Sequence, residues 1–313
     1  MRANVHVPLF SSAKSAVARC LTPAVRLICR YAPPLRRPLY TYLIRQYFWW
    51  RDYKFIVKTA FGALVYGTTS DTIQRAIYFF GVWEPQVEVF LRARLRPGDT
   101  FVDVGANIGY FSLLAATLVG SDGHVVAVEA SRSTLGQLRA NIERNGMGSI
   151  IRTVYAAAAD IEGVVKLYRG DARNIGTASI SRDVGEGYEV VRCAPLHALL
   201  TPEEVALARV VKVDVEGAEA LVFRGLEPAL ASMSSDAEII MEITPGLSGS
   251  SLVVEAFARH RWTAYALEPE DSIDNYLTTR CFHAIRISTP LTKRTDVIFS
   301  RIDAACLDLS VFP

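Results

Sequence analysis

GDTFVDVGANIGYF, residues 98–111, runs from a short apolar strand into a cluster of small residues and then into a second apolar stretch. A buried strand that ends on Asp103, Gly105, Ala106, Asn107 and Gly109 has little to pack with. Glycine lets the chain turn sharply and leaves no Cβ in the way, so this is a place where backbone comes close to something that is not protein. The rest of the chain decides what that is.

Alternating units follow. Residues 100–104, 124–129, 150–156, 209–213 and 237–242 are apolar on both sides and read as strands; 110–118, 133–144, 218–226 and 253–259 have the spacing of helices. Strands of this kind, separated by helices, predict an α/β fold with a mostly parallel sheet covered on both faces, which binds ligands beyond the carboxyl ends of its strands. Ahead of it, 53–58 and 63–66 suggest a hairpin, 70–80 a helix with Ile73, Ile77 and Phe80 on one face and Gly81 as its stop, and 85–95 another helix closed by Pro97-Gly98. Residues 164–168 and 188–193 read as extra strands around a Gly-rich polar stretch, 170–187.

The 313 residues are half apolar and about a fifth charged, enough for a sizeable core. The most apolar patches, 60–66 and 113–119, are too short to span a bilayer. Five scattered cysteines with no C-x-x-C pair suggest neither a disulfide framework nor a zinc site, and a reducing, cytoplasmic location is expected. The net charge of +2 is uneven: residues 1–51 hold nine of the 34 Lys and Arg and none of the acids, leaving the body at −7. This arm, with Ala16, Val17, Leu21, Val25 and Ile28 in amphipathic array, reads as a loosely docked extension, with weak contact at a membrane surface as its functional alternative.

Three ligands compete for the turn. A P-loop needs G-x-x-x-x-G-K-[ST], and no such Lys follows these glycines. A dinucleotide needs a middle glycine to admit the pyrophosphate, and Ala106-Asn107-Ile108 supplies none. What remains is a nucleoside without a phosphate chain: Asp103 would repel a phosphate and welcome an ammonium, and Glu129, 24 residues after Gly105, stands where an acid takes ribose hydroxyls. The pair fits S-adenosylmethionine.

VVKVDVEGAEALVFRGL at 210–226, together with GDTFVDVGANIGYFSL at 98–113, IIMEI at 239–243, GVWEP at 81–85 and AAADIEG at 157–163, closely resembles the FkbM family of S-adenosylmethionine-dependent methyltransferases. That resemblance implies a class I methyltransferase (Rossmann-like) fold, a seven-stranded sheet with its last strand antiparallel, and O-methylation of a hydroxyl on a sugar, glycan or polyketide-type product. Where relatives commonly have Leu-Asp before the fourth strand, this chain has Leu196-His197. The expected organisation is a basic extension (1–51), poorly ordered or helical, a hairpin-and-helix segment packing on the core (52–98), and the S-adenosylmethionine-binding domain (99–313).

Methyl transfer discharges a sulfonium, so a carboxylate against the sulfur would favour the ground state. Acids are therefore assigned to the cofactor's remote ends: Asp103 to the amino-acid end, Glu129 to the ribose, Asp160 to the adenine amine. The backbone of Gly105, Ala106, Asn107 and Gly109, with Tyr110 and Asp214, completes the cofactor set. An alcohol acceptor must lose a proton, and Glu216, with Asp214 second, is the expected general base; Glu242 is a candidate acceptor-site wall. Glu216 and Glu219 would equally complement a helix dipole, as would Glu84. The isolated His197, His260 and His283 read as structural, and no metal is expected, since two carboxylates without a third ligand make a weak site. The competing functions are a nucleic-acid methyltransferase gripping phosphates with its arm, a non-catalytic cofactor-binding protein, and a nicotinamide dehydrogenase. The body's acidity and the lack of an N-P-P-Y or D-P-P-Y motif count against the first, so no nucleic-acid partner is expected.

Overall fold

The computed structural model describes residues 12–48, 53–168, 187–246, 250–268, 272–277 and 281–309. The Gly-rich stretch after residue 168 lies mostly outside them. In chain order the elements are α1 (Ser12–Tyr31), α2 (Arg36–Leu39), β1 (Lys54–Lys58), β2 (Leu64–Thr68), α3 (Thr72–Phe80), α4 (Pro85–Arg94), β3 (Thr100–Val104), α5 (Tyr110–Val119), β4 (His124–Glu129), α6 (Arg132–Arg144), β5 (Ile151–Tyr155), β6 (Ala157–Ala159), β7 (Gly163–Tyr168), β8 (Tyr188–Pro195), α7 (Leu196–Leu199), α8 (Pro202–Leu207), β9 (Ala208–Val213), α9 (Glu219–Leu226), β10 (Glu238–Ile243), α10 (Ser250–Arg259), β11 (Thr263–Glu268), α11 (Ile273–Leu277), β12 (His283–Arg286), β13 (Thr295–Ser300) and β14 (Cys306–Leu307).

The central sheet runs β14-β12-β11-β13-β10-β9-β3-β4-β5. Its run from β11 to β5 is the expected seven-stranded arrangement: β10, β9, β3, β4 and β5 pair in parallel, and β13, last of the seven in the chain, lies antiparallel between β10 and β11. This is the class I methyltransferase fold. β12 and β14 extend it to nine by antiparallel pairing at the β11 edge, an addition that sequence reading did not foresee. Strand order reverses between β3, which continues to β4 and β5, and β9, which continues to β10, so the crevice falls at the carboxyl ends of β3 and β9.

Alternation along the strands sorts the core into two halves. Phe101, Val125, Val210, Ile240 and Ile298 face Phe90 and Leu91 of α4 and Leu113 and Leu114 of α5. Val102, Val126, Val211, Ile239 and Phe299 face Val222 and Phe223 of α9 and Phe257 of α10, whose ring stacks on Phe299 with centroids 3.9 Å apart. Asp103 on β3 and Lys212 on β9, both buried, interrupt these apolar runs at mid-sheet, and they are partners in register. In the hairpin segment, Asp71 caps α3 by accepting from Gln74 N at 2.9 Å, and Gly81, at φ 79°, ends the helix.

A second sheet, β6-β8-β7, packs against α9. The contact is so close that a Cβ at Gly225 would stand 2.0 Å from the Ala159 carbonyl oxygen. His197 Nδ1–H donates to the Gly225 carbonyl at 2.6 Å, a structural use of the side chain.

Two glycines in helices therefore have opposite roles. Gly225→Ala gains up to about 1 kcal/mol of helix propensity but drives a methyl into β6, a strain that costs about 1–3 kcal/mol; its denaturation midpoint should fall. Gly136, inside α6, has no atom within 4 Å of where its Cβ would be, and Gly136→Ala should raise stability by about 0.5–1 kcal/mol. Urea unfolding of the two variants checks both signs.

Candidate active site

β3 hands over to a turn tied to the neighbouring strands by backbone hydrogen bonds. Gly105 N and Ala106 N both donate to the Val128 carbonyl, at 2.9 and 3.0 Å, and Asp214 N donates to the Val104 carbonyl at 2.9 Å. The ends of β3, β4 and β9 are thereby tied together. Gly105 has φ 83°, and a Cβ there would lie 1.8 Å from the Asp214 carbonyl oxygen, so no other residue fits. Asn107 also lies in the left-handed region, at φ 50°, and its Oδ1 accepts from Ile108 N at 2.7 Å, the local bond that makes Asn tolerant of this conformation.

On one side of this turn a first cleft is lined by Gly105, Asn107, Glu129, Thr134, the methyl groups of Ala156, Ala157 and Ala158, Leu167, Asp214, Val215 and Glu216. Glu129 closes β4 and accepts two backbone N–H groups, Asn107 N at 2.9 Å and Ser131 N at 2.7 Å. Burial nonetheless pushes its carboxyl up to about 7. An ionised carboxylate has about four acceptor positions, so after these two bonds Glu129 can still accept from a diol.

A second cleft opens on the other side, lined by Ile73, Trp83, Glu84, Gly105, Asn107, Tyr110, Phe111, Lys212, Asp214, Glu216, Glu242 and Arg294. Four carboxyls face two cations. Lys212 Nζ bonds Asp214 Oδ2 at 2.9 Å and lies 4.8 Å from the centre of the Phe111 ring. Burial alone would lower the Lys212 ammonium, but Asp214, Glu84 and Asp103 outweigh it and hold it above its ordinary value. Arg294 Nε lies 3.2 Å from Glu242 Oε1. Against that cation, burial first and then Asp214 raise the Glu242 carboxyl well above the usual carboxylate range.

The structure brings Gly105, Asn107, Glu129, Asp214 and Glu216 together at the first cleft, and Gly105, Ala106, Asn107, Tyr110, Asp214, Glu216 and Glu242 at the second. Glu216 sits at φ 51°, the turn between β9 and α9 aiming it into both. Tyr110 presents its ring while its hydroxyl donates to Glu88 Oε2 at 2.7 Å. Gly109 turns at φ 92° behind the site, against Leu138.

Asp103 and Asp160 line neither cleft. Asp103 is buried in β3, takes a 2.6 Å bond from Ser112 Oγ and faces Lys212, and its Oδ1 has no hydrogen-bond partner. Asp160 is held by Arg224 at 2.9 Å. Glu219 folds back to accept from Gly217 N at 2.9 Å, capping the turn. His260 pairs with Glu227 at 2.9 Å, away from the site. Among the described residues no group of three or more His, Cys, Asp or Glu could hold a metal ion.

Sequence reasoning missed Lys212, Arg294, Trp83 and the alanine wall. Lys212 carried a usable signal, a lone cation inside the apolar strand V-V-K-V, because a fully buried Lys demands anionic partners. Arg294 comes from the segment before β13, far from any motif.

A family model described as the methyltransferase FkbM domain matches residues 103–267, more than half of the chain. The hexuronic acid methyltransferase AglP of Haloferax volcanii is 30% identical over 164 residues, 52% of this chain and 64% of AglP. The arsenite methyltransferase of Halobacterium salinarum is 38% identical over 53 residues, 17% of this chain and 14% of that one. The chain thus spans less than two thirds of either curated relative. Among solved structures, an FkbM methyltransferase from Methylobacillus flagellatus aligns with a TM-score of 0.42 at 15% identity, covering 66% of this chain and 44% of its own. An O-methyltransferase from Bacillus cereus in complex with SAH aligns at 0.38 and 15%, covering 68% and 76%. With the family match spanning the turn after β3, the acids after β9 and the sheet between them, the chain belongs to the FkbM family of methyltransferases.

Proposed function

We propose that the protein transfers a methyl group from S-adenosyl-L-methionine to a hydroxyl oxygen of a sugar, glycan or polyketide-type small molecule. The observation that carries this reading is that the two clefts share Gly105, Asn107, Asp214 and Glu216, so a donor in one meets an acceptor in the other at a single junction. The hexuronic acid relative supports a sugar as acceptor.

The residues fit the cofactor. The alanine wall and Leu167 form an apolar slot for an adenine, and the acceptor positions left on Glu129 suit the ribose hydroxyls. At the methionine end, Glu84 and Asp214 are the carboxylates in reach of an ammonium, with Lys212 beside them. Asp103 acts from beneath by holding Lys212 charged, in place of the direct contact expected of it. When bound, the cofactor supplies an electrophilic methyl on a sulfonium.

Glu216 stands first as the group that takes the acceptor's proton, because Asp214 is engaged by Lys212 at 2.9 Å. Glu242, carrying a proton, and Arg294 would both donate to the acceptor's oxygens. Holding donor and acceptor in line contributes several kcal/mol, up to roughly 7–11 in ideal intramolecular systems.

Two measurements test this. Ribose hydroxyls bind the ionised form of Glu129, whose carboxyl is pushed up to about 7 in the free protein. Affinity for S-adenosylmethionine should therefore rise with pH through about 7 and fall about tenfold per pH unit below it. Calorimetric titrations across that range should show this slope in the parent and a flat, weaker profile in Glu129→Gln. Separately, Glu216→Gln should keep cofactor affinity within about threefold and lose about 10²- to 10⁴-fold in turnover, followed by mass spectrometry on a panel of glycans and polyketides. Turnover retained in Glu216→Gln and lost in Asp214→Asn would move the base to Asp214.

A further inference from the structure

The basic arm forms α1, and this helix is apolar on two opposite sides. Its inner side buries Val25 and Cys29 in the core that α3 shares. Its outer side, where an amphipathic surface helix carries polar residues, carries Ala24, Leu27 and Tyr31 instead. Leu27 is 60% exposed and Tyr31 75%, and at a spacing of four they stand one above the other.

Cations flank this stripe, and the acid that meets the arm is Asp274, paired with Arg37 at 2.7 Å. Arg30 donates to the Lys58 and Thr59 carbonyls at 2.7 and 3.1 Å, and Arg36 to the Cys29 carbonyl at 2.5 Å, so both are fixed by neutral oxygens and keep their charge. The same Arg30 bonds bring β1 alongside, whose solvent side shows Lys54, Ile56 and Lys58. No Asp or Glu occurs in residues 1–51. Among the described residues no helix is long and apolar enough to cross a membrane.

We propose that α1 is an interfacial helix that docks the protein on an anionic bilayer surface through Leu27 and Tyr31. The apolar side chains enter the boundary between headgroups and acyl chains, tyrosine sits at headgroup level, and the flanking Arg and Lys meet lipid phosphates. A protein partner would have to match this basic arm with acids of its own, whereas a leaflet rich in anionic lipid supplies negative charge everywhere. α1 packs on α3, and α3 carries Ile73 into the second cleft, so the docking surface and the cleft share an element.

Co-sedimentation of the full chain with phosphatidylcholine vesicles, with and without phosphatidylglycerol, tests the proposal. Binding should be at least tenfold stronger to the anionic vesicles and should weaken as salt rises. A Leu27→Ser/Tyr31→Ser variant should lose about tenfold or more, with its melting temperature and cofactor affinity unchanged. Protein left in the supernatant with anionic vesicles, binding indifferent to lipid charge, or a variant that binds as the parent does would each overturn it. So would loss of self-association in the lipid-free variant, which would assign the stripe to a second copy of the chain.

Discussion

Everything at the crevice is arranged around one buried ammonium. Lys212 lies on β9 where strand order reverses, in register with Asp103 of β3, and is bonded to Asp214 at the strand's end. An isolated charge there would be prohibitively expensive, and so would the buried carboxylates without it. Together they form a set in which each member makes the burial of the others tolerable. Asp103 also holds Ser112 in the first turn of α5, so the network fixes the helix that follows the glycine turn as well as the strand that supplies Asp214. An Asp in the first of the family motifs and a Lys in the second are thus two halves of one electrostatic unit.

Charge is graded across the site in a way that suits a fading sulfonium. The first cleft presents methyl groups and Glu129, a carboxylate already bonded by two backbone N–H groups, and it shares Asp214 and Glu216 with the second cleft, which adds Glu84 and Glu242 beside two cations. Carboxylates crowded together cannot all ionise. Burial and Asp214 push the Glu242 carboxyl up, which favours its neutral form and a lower net negative charge in the second cleft. A fully ionised cluster would stabilise the positive donor more than the transition state, in which that charge is disappearing, and would slow transfer.

How much of this was legible in the sequence follows from how local each feature is. β3 from 100 to 104 and β4 from 124 to 129 were readable to the residue, because both are apolar on each face and bounded by turn residues. β11 to β14 were not, since short antiparallel strands with exposed faces such as His283–Arg286 carry little apolar periodicity. The same divide runs through the site. Glu129 and Glu216 could be picked out as candidates because each closes a strand or opens a helix, and both line a cleft. Which way Asp103 and Asp160 turn was not legible, because a strand-end acid has two faces to choose from, and only the packed structure shows Ser112 and Arg224 holding them. Arg294 was invisible because its position depends on β13 returning beside β10, a contact between segments about fifty residues apart.

The two clefts also differ in what builds them, and that difference bears on how such a scaffold changes acceptors. The first is made by backbone: a glycine that nothing else can replace, two N–H groups on the Val128 carbonyl, and a carboxylate pinned by two more. Substitutions there strain the chain itself, so its geometry is fixed by the fold. The second is walled by long side chains, Trp83, Glu84, Glu216, Glu242 and Arg294, that come from four separate segments and meet only at their tips. Replacing one of them alters shape and charge locally and leaves the strand ends where they are. On the proposed reading, a common donor grip with a variable opposite wall follows from that division, because the donor must be held the same way whatever acceptor it meets.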